Sequence, residues 1–531
     1  RSDPTEGAYS ITGAIDGDTI EGTASGPMGE ATFTVSRESS GKTADTPEEP
    51  ELRWTDIPEQ IPYPLGGRGR LQPVQPEEIR FEHATLWTAG AAGIIEDGCL
   101  IVRDGRIAYA GPMSGAPEST EHVIDATGLH ITPGLIDCHS HTGIDGGVNE
   151  FNEACTAEVG IGDVVAGDDM NWYRQLAGGL TGANQLHGSA NPIGGRNSVV
   201  KIRWGQPARG FPNAAAPTGI KFALGENVKR SGGRYPDTRM GVEAFIRDRL
   251  SEAQSYAARW NRWNAMSPEQ QSKQIPPRRD YELDTLAEIL AGERLIHCHS
   301  YRQDEILALL RTCEEFGITI GTLQHILEGY KVADDIAAHG CGASSFSDWW
   351  AYKIEVMDAI PWNGAIMHDQ GVVVSFNSDD GELATRMNDE AAKAVRFGDL
   401  PPAEAIKFVT LNPAIQLHID HRTGSLEAGK DADFAVWNRD PLDSYSLCLQ
   451  TWIDGARYFD RDEDAELAAR DAAERTRLVE LVLHEGLGAP PELKEPEEEE
   501  TTPTWVRNPY DTVDDHRGCC GIPAEHEESM K

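Results

Sequence analysis

Two imidazoles at alternate positions end one apolar run of this chain: Pro133-Gly134-Leu135-Ile136-Asp137-Cys138-His139-Ser140-His141. Leu135–Cys138 has strand character, and period-2 alternation puts His139 and His141 on one face. Two imidazoles so placed can chelate a divalent ion. Other side chains of the same chemistry stand at or near the ends of further apolar runs. They are His297 and His299, His325, and Asp379 in Ser375-Phe376-Asn377-Ser378-Asp379-Asp380. Lys221 lies inside the apolar run Ile220–Leu224, where a charged amine is costly unless paired. Lys201, in a second apolar run, is its rival. His297 and His299 share a strand face, and Asp380 adjoins Asp379, so register leaves both choices open. A carboxylate beside an ion-activated water is a plausible general base.

Positioning such groups needs strands that converge. Eight strand-like runs fall between residues 131 and 412: Leu135–Cys138, Leu180–Leu186, Val199–Trp204, Ile220–Leu224, Leu295–Cys298, Ile318–Gln324, Gly342–Phe346 and Val372–Phe376. Helical patterns such as Asp304–Phe316 and Asp389–Val395 lie between several of them. This alternation predicts an α/β fold, a (β/α)8 TIM-like barrel over 131–412, whose site sits at the C-terminal strand ends. Residues 226–293 read as an insertion, helical over Gly241–Trp263. Strand-rich pieces on either side, 79–130 and 413–460, predict a composite flanking β domain. Residues 1–78 read as an N-terminal β extension and linker, with hairpin-like segments Tyr9–Ile15 and Ala31–Val35. Residues 461–531 read as an amphipathic helix followed by an acidic C-terminal tail, with Glu497–Glu500 solvated.

Composition narrows the function. The 531 residues carry 47 Lys+Arg against 87 Asp+Glu, a formal charge of −40. That charge argues against binding nucleic acid through phosphates and against docking on an anionic membrane. No run of 18 apolar residues marks a membrane span. Gly194-Gly195 lacks the strand–loop–helix setting of a nucleotide site. Of nine cysteines, Cys298 and Cys313 sit in apolar runs and read as buried thiols; adjacent Cys519 and Cys520 are left as a vicinal disulfide, a pairing elsewhere, or free thiols. No signal peptide is visible, and a first residue of Arg1 leads us to expect a trimmed or cut chain.

The His-x-His run, the segment Gly424-Ser425-Leu426-Glu427-Ala428-Gly429-Lys430-Asp431-Ala432-Asp433 and the eight-strand middle resemble the amidohydrolase superfamily over about residues 79–440. Four further stretches are similar to long, exported, bacterial imidazolonepropionase-like proteins with two related halves, of which this chain looks like the C-terminal one. They are Gly188–Gly195, Gly219–Asn227, His297–Arg302 and His325–Lys331. The resemblance implies a metal-dependent hydrolase that cleaves a C–N bond (amide, peptide or cyclic amide) with an activated water. The alternatives are a deaminase or other hydrolase on the same site, or a catalytically silent subunit. It implies one or two divalent ions, zinc by preference. His139, His141 and Asp379 would hold one, His297 and His325 the other, and a carboxylated Lys221 would bridge them. Asp379 would also take the water's proton, and His299 would face the substrate. Glu226 is a weaker candidate ligand. Tyr301, Arg302, His187 and Tyr330, which follow strands in the loops, are the candidate substrate-binding residues. The expected substrate is a small molecule or peptide-like, the expected partner a homologous N-terminal half in an oligomer, and the expected location periplasmic or exported, with the cytoplasm as the alternative.

Overall fold

The computed structural model describes residues 10–36 apart from 17–18 and 27–28, and residues 60–485 apart from 119–121, 145, 151, 230–232 and 347–348. The expectations for the linker up to residue 59, the acidic tail and Cys519–Cys520 lie outside the described residues. The chain divides into two units, residues 1–59 and 60–531.

In the first unit, β1 (Ser10–Asp16), β2 (Thr19–Gly26) and β3 (Gly29–Ser36) form an antiparallel meander in that order. Its register pairs Gly13 with Gly22 and Gly22 with Phe33, and Ile20 with Val35, so small and apolar residues share one face.

In the second unit, a mixed eight-stranded sheet is assembled from both ends of the sequence. From the first end come β4 (Ile79–Trp87), β5 (Ile94–Arg103), β6 (Arg106–Pro112), β7 (His122–Asp125) and β8 (His130–Pro133). The strands between the two ends, in the middle of the chain, are given below. From the second end come β18 (Phe434–Trp437), β19 (Cys448–Ile453) and β20 (Ala456–Asp460). The order is β20-β19-β18-β8-β4-β5-β6, with β7 beside β4. The join is the antiparallel pair β8–β18, where Ile131 faces Val436. Alternating apolar residues fill one core, in which Phe434 stacks on Trp452 at 5.4 Å and Phe81 meets Phe434 edge-on at 5.6 Å.

The middle of the chain is TIM-barrel-like, but its hydrogen-bond ladder is not continuous. One sheet holds β9 (Leu135–Ser140), β10 (Leu180–Gln185) and β12 (Ser198–Lys201); the other holds β11 (Ile193–Arg196), β13 (Thr218–Ala223), β14 (Arg294–Ser300), β15 (Thr322–His325), β16 (Gly342–Ser345) and β17 (Val374–Phe376). β9–β10 and every pair from β13 to β17 are parallel. The expected third stave, Val199–Trp204, is the exception: β12 runs antiparallel to β10, and β11 antiparallel to β13. The reason is local. Only residues 186–192 separate β10 from β11, too little chain for the crossover that parallel strands need, so the chain turns back and β11 and β12, joined through Asn197, run as one returning pass. The Asn197 side chain bridges the sheets, donating to Asn184 Oδ1 and accepting from Gly219 N–H, each at 2.7 Å.

Two other runs begin later than expected. Ile318 N–H donates to Cys313 O and Val372 N–H to Met367 O, so both runs open with the residues that close a helix end. The strands themselves start at Thr322 and Val374. The insertion carries the long helix Arg239–Asn264, and Arg461–Glu485 is helical. Strand residues such as Ile220, Ile296, Leu323 and Val374 are fully buried, in one core with Ile306, Leu309 and Leu310 of helix Gln303–Glu315.

Candidate metal centre

β9 and β17, the first and last staves, meet through side chains. Asp137, fully buried, accepts hydrogen bonds from Ser378 N–H (3.1 Å), from the Ser378 hydroxyl and from His139 N–H (3.2 Å). Asp379 N–H donates to His139 O at 3.1 Å. Burial pushes the Asp137 carboxyl up to about 7, against the lowering effect of those donors. The seam thus sets Asp379 against the His-x-His pair.

His139 and His141 are 0% and 5% exposed. Their Nε2 atoms lie 3.3 Å apart, and Asp379 Oδ1 stands 3.4 Å from the first and 3.2 Å from the second. His325 Nε2 is 3.7 Å from Asp379 Oδ2. Ligand atoms about 2.0–2.1 Å from one tetrahedral zinc stand about 3.3 Å from each other, so this donor set fits such an ion. One donor atom each from His139, His325 and Asp379 falls within 4.8 Å of the other two. His141 Nδ1–H donates to Leu186 O at 2.8 Å, which leaves its Nε2 lone pair for a cation. His325 and Asp379 hold left-handed backbone, φ 69° and 46°. Asp and His enter that region more readily than most side chains, yet it is uncommon for any residue but glycine, and such conformations collect at functional sites.

Lys221 enters the same space fully buried, with Nζ 3.2 Å from His139 Nε2. Lys201 does not. Its Nζ is gripped by Asp431, Asp433 and Asp454 at 2.9, 2.8 and 2.6 Å, where β12 meets the β domain. Those three carboxylates also lie within metal-binding reach of one another, but the lysine ammonium already fills their centre.

On β14 the two histidines occupy successive layers. His299 lies beside His325, ring centroids 4.7 Å apart, and its Nδ1 is 3.0 Å from Ser189 Oγ. His297 is aligned with Lys221 one step deeper, where a Cβ at Gly219 would come 2.8 Å from its Nε2. Burial first, then the charges of His139, Lys221 and His418, push its pKa down to about 3, so the ring is neutral. The geometry therefore sets His299, rather than His297, next to His325.

Of the expected substrate residues, Tyr301 borders the centre and the other three turn to other partners. Tyr301 is fully buried, its ring 4.4 Å from His299 and its hydroxyl 2.8 Å from that of Tyr352. Arg302 turns to Asp304 of its own helix at 3.0 Å. His187 accepts from Glu150 N–H at 2.8 Å and donates from Nδ1 to Gly188 O at 2.9 Å, so both nitrogens brace loops. Tyr330 donates to Asp358 O at 3.0 Å. Asp380 accepts from Glu382 and Leu383 N–H and caps a turn, and Glu226 is an exposed partner of Arg239. Sequence reasoning missed the wall formed by Phe346, which stacks on His325 at 5.0 Å and on Trp349 at 4.1 Å. It also missed Asp137, although the residue lies inside the quoted motif.

Residues 284–462 match the Amidohydrolase family. The amidohydrolase tasK of Hapsidospora irregularis is 29% identical over 414 residues, 72% of this chain and 41% of that protein. An imidazolonepropionase of Sphingopyxis alaskensis is 48% identical over 86 residues, 16% of this chain and 21% of that one. The chain thus spans less than half the length of either relative. Among solved structures, an amidohydrolase from Thermotoga maritima superposes with a TM-score of 0.65 at 29% identity, covering 72% of this chain and 100% of that one.

Proposed function

We propose that this chain, which belongs to the amidohydrolase superfamily, hydrolyses a carbon–nitrogen bond of the amide, peptide or cyclic-amide type with the help of a divalent ion. The observation that carries the reading is the convergence of His139, His141, His325 and Asp379 at distances suited to ligands of one ion. Those four residues would hold it, zinc by preference for an imidazole-rich set. A divalent ion supplies polarisation of the scissile carbonyl and acidifies a water. Asp379 takes the water's proton on a carboxylate oxygen and passes it to the leaving nitrogen. His299, beside His325, orients the carbonyl or serves a second ion. Were a second ion held, the Lys221 amine would add CO2 and release a proton, and the resulting carbamate would supply a further anionic ligand.

The test is elemental analysis of protein prepared without chelators, followed by stripping, reloading with zinc and assay on an amide panel. We expect about one or two ions per chain and activity that follows reloading. Protein that binds no zinc at micromolar concentration refutes the reading. Ammonia released from an amino-substituted ring would reassign the reaction to deamination.

The resemblance to long, exported two-half proteins supports two further proposals, and a span of 41% of tasK is in keeping with the first alone. The chain pairs with a second amidohydrolase-like chain, and it works in an exported compartment. Native mass spectrometry from source cells that finds this polypeptide alone refutes the first, and fractionation to the cytoplasm refutes the second.

A further inference from the structure

Beside the metal centre the chain encloses one of its own ammonium groups among aromatic rings. Lys353 Nζ lies 4.6 Å from the Tyr301 ring centroid and 5.6 Å from that of Tyr352. It pairs with Glu355 Oε1 at 2.8 Å and reaches Asn227 Oδ1 at 3.4 Å. Glu355 and Tyr301 are 2% and 0% exposed. Rings facing a cation, with a buried carboxylate behind it, are the parts of an ammonium receptor. Tyr301 also packs edge-on against His299, so the receptor shares a wall with the metal centre.

Charge balance says what can enter. Two buried carboxylates, Glu305 and Glu355, face two cations. Arg239 lies 3.3 Å from the first and 3.2 Å from the second, and Lys353 supplies the second cation; the 42%-exposed Glu226 reaches Arg239 at 3.5 Å from the solvent side. If Lys353 leaves with nothing in its place, a buried negative charge stays unbalanced, which is strongly unfavourable. If another ammonium takes the position, the balance is kept. The arm has somewhere to go, because its neighbours Tyr352 and Ile354 are 43% and 84% exposed, and Ala351 holds left-handed backbone at φ 50°.

We propose that Tyr301, Tyr352 and Glu355 form an ammonium-binding subsite of the active centre, filled here by Lys353, and that the substrate is an amide bearing a primary ammonium that displaces it. This rests on the hydrolase reading for the word substrate only; the subsite itself can be tested without turnover.

The probe is n-butylammonium, which reproduces the lysine side chain, with n-butanol as its neutral counterpart, both measured by calorimetric titration. Lys353→Ala empties the position and should bind n-butylammonium at least tenfold more tightly than the unaltered protein, with no gain for n-butanol. Adding Glu355→Gln should abolish the gain. Equal affinities in the Ala variant and the unaltered protein, or an equal gain for n-butanol, overturn the proposal. Because Lys353→Ala leaves Glu355 unbalanced and can impair folding, a second measurement uses the unaltered chain. n-Butylammonium should raise the acetylation of Lys353 severalfold relative to exposed Lys273, read by peptide mass spectrometry. An unchanged ratio overturns the proposal as well. A protein that passes both tests yet hydrolyses no amide keeps the subsite and loses the hydrolase reading.

Discussion

Replacing each of the two buried lysines by methionine should give opposite results. Lys201 lies 2.6–2.9 Å from three carboxylates, of which Asp433 is 2% exposed and Asp431 6%. Removing one partner from a buried ion pair costs about 3–5 kcal/mol, because it strands the remaining charge. Arg422 and Arg203 stay near, at 2.7 Å from Asp431 and 2.8 Å from Asp454, and hold the figure to the lower part of that range, about 3 kcal/mol. Burial tends to lower the Lys201 pKa, but Asp433, Asp454 and Asp431 outweigh it and raise it well above the ordinary value. A raised folded pKa means the stabilisation is complete below about pH 10.4, the unfolded value, and fades only as pH climbs past it. The penalty of Lys201→Met should therefore be flat from pH 7 to 9. Lys221 has no carboxylate paired with it among the described residues, only His139 at 3.2 Å, so Lys221→Met removes a buried amine that little compensates. Its stability should hold or rise, by up to about 2 kcal/mol. Its zinc content should fall, while Lys201→Met keeps wild-type zinc per folded chain. Urea midpoints at constant slope and elemental analysis read the two effects. Loss of zinc in Lys201→Met with an unmoved urea midpoint would refute the division of roles.

Asp137→Asn keeps the shape of the seam but replaces one acceptor oxygen facing Ser378 or His139 by a donor; because burial already opposes the charge of that carboxyl, what is lost is one hydrogen bond, about 0.5–1.5 kcal/mol by denaturation. Turnover should fall further than this because Asp379 drifts; unchanged kcat would show that the seam does not position it. His299→Ala should weaken zinc retention against a competing chelator by at least about tenfold, as loss of a group beside a ligand does, whereas His297→Ala should leave retention within about threefold. The reverse order would restore His297 as the fifth-strand ligand.

Much of this site was legible because its signals are local. His-x-His at a strand end fixes a shared face by alternation alone, and Asp379 follows an apolar run. What sequence could not rank were choices that alternation leaves equal. His297 and His299 point the same way from β14, and only the depth of each layer separates them. Lys201 and Lys221 both sit in apolar strands; the partners that settle Lys201 come from 230 and 253 residues away. The direction of Val199–Lys201 was equally hidden, since an apolar run reads alike either way, and the short connection 186–192 after β10 decided it by turning the chain back. Asp137 looked like part of a motif until Ser378 gave it work at the seam.

The β8–β18 pairing has a consequence for biosynthesis. Thr132 finds its backbone partner Ala435 only after about three hundred more residues have left the ribosome. Until then β8 offers an open edge and β4 an apolar face to the surroundings, a state that invites association with other nascent chains. Conditions that slow translation between these two strands should lengthen that exposure, and the yield of soluble protein should depend on chaperone supply more than the stability of the finished molecule would suggest.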